Sequence, residues 1–125
     1  ENSVWQPFDE TLIQDLVGQG QTIYVDVTAD WCITCLVNKS VVLSNKRLKD
    51  LFSEGKVTAM QADWTRPNET ISDYLARNNR YGIPFNIVYG PKKPKGIVLP
   101  ELLTSSMVLD ALLSASGKKM ASNLR

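Results

Sequence analysis

Cys32 and Cys35 are the only two cysteines of the chain, and they closely follow an apolar run, Ile23-Tyr24-Val25-Asp26-Val27, that reads as a buried strand. A strand that ends in a Cys-x-x-Cys pair carries the signature of thiol–disulfide chemistry. If a helix starts at the first cysteine, its unpaired backbone N–H groups and its dipole favour a thiolate at Cys32, whereas Cys35 lies one turn inward and less exposed. On this reading Cys32 is the nucleophile and Cys35 the resolving thiol.

Other uses of such a pair fit poorly. A closed zinc site needs about four Cys or His ligands, and with two Cys and no His this chain would have to recruit carboxylates or a second subunit. No metal is expected. Covalent haem attachment requires a His directly after the second Cys, and that position holds Leu36. A static structural disulfide is disfavoured because so short a loop removes little chain entropy when closed.

The elements around the pair follow from periodicity. Leu12, Ile13, Leu16 and Val17 recur at helical spacing after Trp5, Pro7 and Phe8, with Asp9 as N-cap and Gly18 or Gly20 as stop. Thr22 to Thr28 reads as a central strand, apolar on both faces except at Asp26. A buried carboxylate is ordinarily a satisfied polar group, but six residues before Cys32 it also suits a proton acceptor beneath the thiols. A helix is expected from Cys32 through Val37 and Val41 to about Leu43. Ser44 then caps a further helical stretch bearing Leu48, Leu51 and Phe52, stopped by Gly55.

Val57 to Asp63 is the next strand, Trp64 is read as packing with a place on the active surface as the alternative, and Pro67 breaks the connection. Asn68 caps a helix with Ile71, Tyr74 and Leu75 on one face, ending near Asn79 or Gly82. Pro84 then opens the apolar strand Phe85 to Tyr89. A cis Ile83-Pro84 bond would turn the chain sharply there and leave the Ile83 backbone free to meet a partner, the alternative being an ordinary trans proline. The turn-rich stretch Gly90 to Gly96 joins this strand to Ile97 to Leu99 as a hairpin, and Thr104 or Ser105 caps a last helix with Val108, Leu109, Leu112 and Leu113. Residues 1–116 are thus one domain, and the stretch 117–125, which has no apolar face, is expected to be a loose tail.

Bulk properties bound the partners. With 43% hydrophobic and 22% charged residues the chain has the composition of a folded globule, not of a disordered segment. A net charge of +1 without a long basic tract argues against nucleic acid. No apolar run reaches the roughly 18 residues of a membrane span, and no signal peptide opens the chain. A start at Glu1 with no Met fits an excised portion of a longer protein.

The order helix, strand, helix, strand, helix, strand, strand, helix, with Trp31-Cys32-Ile33-Thr34-Cys35 after a strand and Ile83-Pro84 before one, resembles the thioredoxin fold over nearly the whole chain. More narrowly, Thr28-Ala29-Asp30-Trp31-Cys32-Ile33-Thr34-Cys35, Ala62-Asp63-Trp64-Thr65, Tyr81-Gly82-Ile83-Pro84 and Leu99-Pro100-Glu101-Leu102-Leu103-Thr104 resemble the C-terminal periplasmic domain of the DsbD/ScsB-type transmembrane thiol-disulfide reductases. The resemblance implies a three-layer α/β/α sandwich around a mixed sheet of about four strands. It also implies a periplasmic location as the soluble domain of an inner-membrane protein. Electrons would arrive from an upstream membrane-embedded reductase domain and pass to an N-terminal domain of the same chain or to periplasmic thiol-disulfide proteins. One position departs from the family, where a Glu often lies four residues after the second cysteine and this chain has Lys39. A cation there favours a thiolate instead of opposing it.

The expected function is therefore that of a protein-disulfide reductase, monomeric as an isolated domain, with no cofactor beyond the Cys32–Cys35 disulfide. Asp26 would handle the Cys35 proton, Trp31, Ile33 and Thr34 would shape the contact surface, and Ile83 and Pro84 would align the partner chain. The competing readings are a free-standing thioredoxin-like reductase or thiol oxidase, separated by reduction potential, and a non-catalytic binding module or metal-bridged dimer.

Overall fold

The structure, a computed structural model, describes residues 4–116; the expected tail at 117–125 lies outside the described residues. The chain runs β1 (Trp5–Pro7), α1 (Glu10–Gly18), β2 (Thr22–Thr28), α2 (Ile33–Asn38), a π-helical turn (Lys39–Leu43), α3 (Lys46–Ser53), β3 (Val57–Asp63), α4 (Glu69–Arg77), β4 (Phe85–Gly90), β5 (Lys93–Val98) and α5 (Ser105–Ala115). The strands form one mixed sheet in the order β1-β3-β2-β4-β5. β1 and β2 pair with β3 in parallel, and β4 pairs with β2 and β5 antiparallel.

Every residue of β2 is buried, as expected for a strand paired on both edges and covered on both faces. Alternation divides it. Tyr24 joins a core with Val42, Leu48, Val88, Val108 and Leu112, so the segment from α2 through α3, together with α5, covers that face. Ile23, Val25 and Val27 join Ile13, Ile71, Tyr74 and Leu75 of α1 and α4 on the other. Each fully buried aliphatic side chain contributes about 1.5–3 kcal/mol relative to exposure. Asp26, two residues after Tyr24, faces the α2 side.

The sheet has one strand more than the four expected. β1 is only three residues long, too short to show a period of two, and it contains Pro7. Proline is tolerated because β1 is an edge strand; Phe8 N–H continues its ladder to Gln61 O at 3.0 Å. β5 also starts earlier than Ile97, because the edge strand accommodates Pro94 and Gly96, the latter at φ 96°.

The single helix expected from Cys32 to Leu43 is divided. α2 begins at Ile33 with Cys32 as its N-cap, and it gives way at Lys39 to the π turn. Asn45, not Ser44, caps α3: its Oδ1 accepts from Arg47 N–H at 2.9 Å, whereas the Ser44 hydroxyl donates back to Ser40 O at 2.7 Å. The other caps fall where sequence placed them. Asp9, Asn68 and Thr104 each accept a backbone N–H at the start of α1, α4 and α5.

Buried Asn38 at the end of α2 fixes the loop before α5. Its Nδ2 donates to Glu101 O at 2.8 Å, and its Oδ1 accepts from Leu103 N–H at 3.0 Å. Asn38→Ala strands these loop groups, and an unsatisfied buried group costs about 1–3 kcal/mol. We expect the variant to lose about 2–4 kcal/mol by urea unfolding, and an unshifted midpoint would show that water replaces the clamp.

Candidate functional site

The redox pair lies where β2 hands the chain to α2. β2 ends at Thr28, and Cys32 N–H donates to Ala29 O at 3.2 Å, closing a turn that places Cys32 in extended conformation (φ −96°, ψ 104°) at the N-cap. The side chains of Cys32 and Cys35 are joined as a disulfide. Cys35 N–H also points at Cys32 Sγ at 3.2 Å. That donor stays in place when the disulfide opens only if the turn is kept, and it then stabilises charge on Cys32. Cys32 is 7% exposed and Cys35 2%, so an incoming atom meets Cys32 first.

Ala29 and Ile83 pack against the pair. The Ile83-Pro84 bond is cis, Pro84 is buried and Ile83 half-buried, so the expected proline turn lies beside the sulfurs. Trp31 and Ile33 flank Cys32 and are both exposed, Ile33 to 77%, while Thr34 is half-buried. Trp31 is held by its indole N–H, which donates to Thr65 O at 3.1 Å. The hydroxyl of Thr65 accepts from Asp30 N–H at 2.9 Å and bonds the Asp63 carboxylate. The Thr65 hydroxyl, and after it the Thr65 backbone N–H that donates to Asp63 Oδ1 at 3.0 Å, hold the Asp63 carboxyl below its ordinary range. Trp64 packs as expected, half-buried against the α1 and α4 core.

Asp26 is 2% exposed and lies on the sheet face that carries α2. Removal from water pushes its carboxyl up to about 6, against opposing contributions from the charge of Lys39 and a hydrogen bond from Gln61. Its register partners are Gln61 on β3 and Asn86 on β4. Asn86 Oδ1 accepts from the Tyr24 hydroxyl at 2.8 Å, whereas Asp26 Oδ2, Asn86 Nδ2 and Thr28 Oγ1 are buried without a partner among the described residues. A cleft of about 620 Å³, with Thr28, Lys39, Gln61, Asp63 and Arg66 in its walls, opens beside this stripe. Water entering it can reach the buried polar groups.

The structure thus gathers Trp31, Cys32, Ile33, Thr34, Cys35, Ile83 and Pro84 around one disulfide, with Asp26 in the strand that feeds it. Sequence reading missed Thr65 as the anchor of Trp31, Gln61 and Asn86 as neighbours of Asp26, and Tyr81, which stands exposed two residues before Ile83. The Asp63-Trp64-Thr65 spacing is a usable signal for the first, since Asp at i often bonds backbone and hydroxyl at i+2. Register alone reveals Gln61 and Asn86. Among the described residues, no cluster of three His, Cys, Asp or Glu could hold a metal, and no helix is long and apolar enough to cross a membrane.

Comparison with known proteins agrees with this architecture. No curated protein sequence matches the chain. Among solved structures it is similar to the Neisseria meningitidis DsbD C-terminal domain. In its reduced form the identity is 16% and the TM-score 0.62, over 81% of this chain and 88% of that one. In its oxidised form the identity is 15% and the TM-score 0.64, over 81% and 87%. A thioredoxin from Thermus thermophilus matches at 20% identity and TM-score 0.62, over 86% of this chain and 82% of that one. These likenesses establish the fold. Residues 4–91, from β1 through β4 and including both cysteines, match the family described as Thioredoxin-like, and with the observed sheet order and the disulfide at the head of α2 they make this chain a member of that family.

Proposed function

We propose that the chain is a thiol–disulfide oxidoreductase that relays electrons from a membrane-embedded reductase domain to disulfides of periplasmic partner proteins or of an N-terminal domain of the same protein. The observation that carries this reading is the Cys32–Cys35 disulfide at the head of α2, with the less buried sulfur rimmed by Trp31, Ile33 and Ile83-Pro84. Similarity to the Neisseria meningitidis DsbD C-terminal domain supports the membrane-linked, periplasmic form of it.

In the reduced chain the Cys32 thiolate attacks one sulfur of the partner disulfide, forming a mixed disulfide and expelling the other partner sulfur as a thiolate. Cys35 gives its proton to Asp26, directly or through water, and attacks Cys32 Sγ. The second partner thiolate leaves, the Cys32–Cys35 bond forms, and two electrons have passed to the partner. Reduction from upstream runs the same steps backwards.

Equilibration of the chain with glutathione buffers tests the direction. A reductase is expected below about −200 mV, whereas a value near the roughly −120 mV of a strong thiol oxidant would reverse the assignment.

A further inference from the structure

The helix that carries the pair has an unusual outer face. A helix lying on a sheet normally shows charged or polar residues to solvent. Here the exposed positions from Ile33 to Ser44 are Ile33, Leu36, Val37, Ser40, Val41 and Ser44, with no charge among them. Ile33 and Val41 are 77% and 67% exposed, and Leu36 and Val37 are exposed as well. Scattered apolar residues on a surface need no explanation, but these form a row at i, i+4 and i+8. The row crosses from α2 into the π turn, which begins at Lys39. The Asn38 clamp holds exposed Leu102 close to the same stretch.

We propose that this strip is the docking surface for the folded protein domain whose disulfide Cys32 attacks, so that the partner contacts Cys32 and Val41 at once. The inference rests on the thiol–disulfide reading. The strip starts at Ile33, next to Cys32, and is therefore continuous with the only place where a partner sulfur can arrive. It extends about 12 Å along the helix axis at ~1.5 Å per residue. An extended peptide suits it poorly: a helix face offers no free backbone groups, so such a peptide would bury unpaired N–H and C=O groups against Val37 and Val41. A folded domain has its backbone already paired and can present an apolar surface beside its cysteines. The uncharged strip predicts association that changes little with salt.

The test places the photo-crosslinking residue p-benzoylphenylalanine at position 41 of a Cys35→Ala chain. The chain is incubated with soluble extract of the source organism, irradiated, and then treated with dithiothreitol. We expect the protein disulfide-linked to Cys32 to remain attached after dithiothreitol through position 41, and the same crosslinker at Leu12, on α1 across the sheet, to release it. Val41→Glu in the Cys35→Ala chain should slow adduct formation about tenfold, since a charge is pressed against an apolar surface, while Leu12→Glu leaves it unchanged. Iodoacetamide labelling of Cys32 and the melting temperature check thiol and fold in each variant. Complete release by dithiothreitol from position 41, or crosslinking there to lipid or to a second copy of this chain, overturns the docking proposal alone. Failure of the Cys35→Ala chain to form any disulfide adduct overturns the redox reading, and the docking proposal with it.

Discussion

A Cys32→Ala chain is expected to lose disulfide exchange by at least about a thousandfold, and a Cys35→Ala chain to stop at the mixed disulfide with its partner. The asymmetry follows from geometry. Cys32 caps α2, receives the Cys35 N–H at 3.2 Å and is the less buried of the two sulfurs. Cys35 lies within the helix, packed with Ala29 and Ile83 and only 2% exposed. Loss of Cys32 therefore removes the attacking atom. Loss of Cys35 removes only the atom that ends the reaction, so the partner stays bound until an external thiol releases it. Non-reducing gels of the two variants mixed with a disulfide-bonded protein such as insulin distinguish them. Equal trapping by both would mean that either sulfur can lead.

Asp26→Asn is expected to have two large effects of opposite usefulness. The first is on stability. Burial raises the folded carboxyl to about 6, above the roughly 3.9 of an unfolded chain. A raised folded value means that the native state holds the proton more tightly. The stabilisation from this group is then fully present below about pH 4 and is lost as pH rises through about 6. The difference of about two units corresponds to roughly 3 kcal/mol at pH 7–8. Asp26→Asn removes the buried charge, so it should raise stability near neutral pH by up to about 3 kcal/mol and leave it nearly unchanged near pH 4. Urea unfolding at both pH values reads this directly. A variant less stable than the parent at pH 8 would show that the carboxylate is better solvated, through the cleft by Lys39 and Gln61, than its burial implies.

The second effect is on rate. Attack by Cys32 needs only its own thiolate, whereas resolution requires Cys35 to lose a proton in a dry site, where a neighbouring base matters most. Without the carboxylate, resolution at pH 7 should slow by about a hundredfold. Mixed disulfide then accumulates in rapid-quench experiments, its formation is little changed, and higher pH partly restores turnover. Slower formation with normal resolution would assign Asp26 to Cys32 instead. Both results together would account for a carboxylate in the middle of a strand otherwise built for burial: it would weaken the neutral-pH fold and serve the chemistry.

How far sequence alone could reach depended on whether each feature is local. The Cys-x-x-Cys pair, the caps at Asp9, Asn68 and Thr104 and the burial of β2 on both faces involve residues within a few positions of one another, and all were legible. β1 was not, because three residues containing a proline owe their strand conformation to the free edge of β3. The break of the α2 helix into a π turn was hidden because Val37 and Val41 fit an unbroken helical period equally well. Asn38 reaches a loop more than sixty residues away, and Asn86 becomes a neighbour of Asp26 only through the β2–β4 register. Sequence placed Ile33 on the contact surface but left open which face the row continuing through Val37 and Val41 would take. The structure gives the core to Cys35, Asn38, Val42 and Leu43, and turns that row to solvent.

The central claim is two-electron exchange led by Cys32, and thiol counting tests it most directly. The reduced chain is mixed with one equivalent of insulin, quenched in acid at intervals, alkylated and weighed by mass spectrometry. Exchange led by Cys32 predicts that the chain loses both thiols as insulin gains two, that the transient adduct is attached through Cys32, and that the chain ends with the Cys32–Cys35 bond re-formed. A chain that keeps both thiols while insulin stays oxidised, or an adduct carried by Cys35, would contradict it.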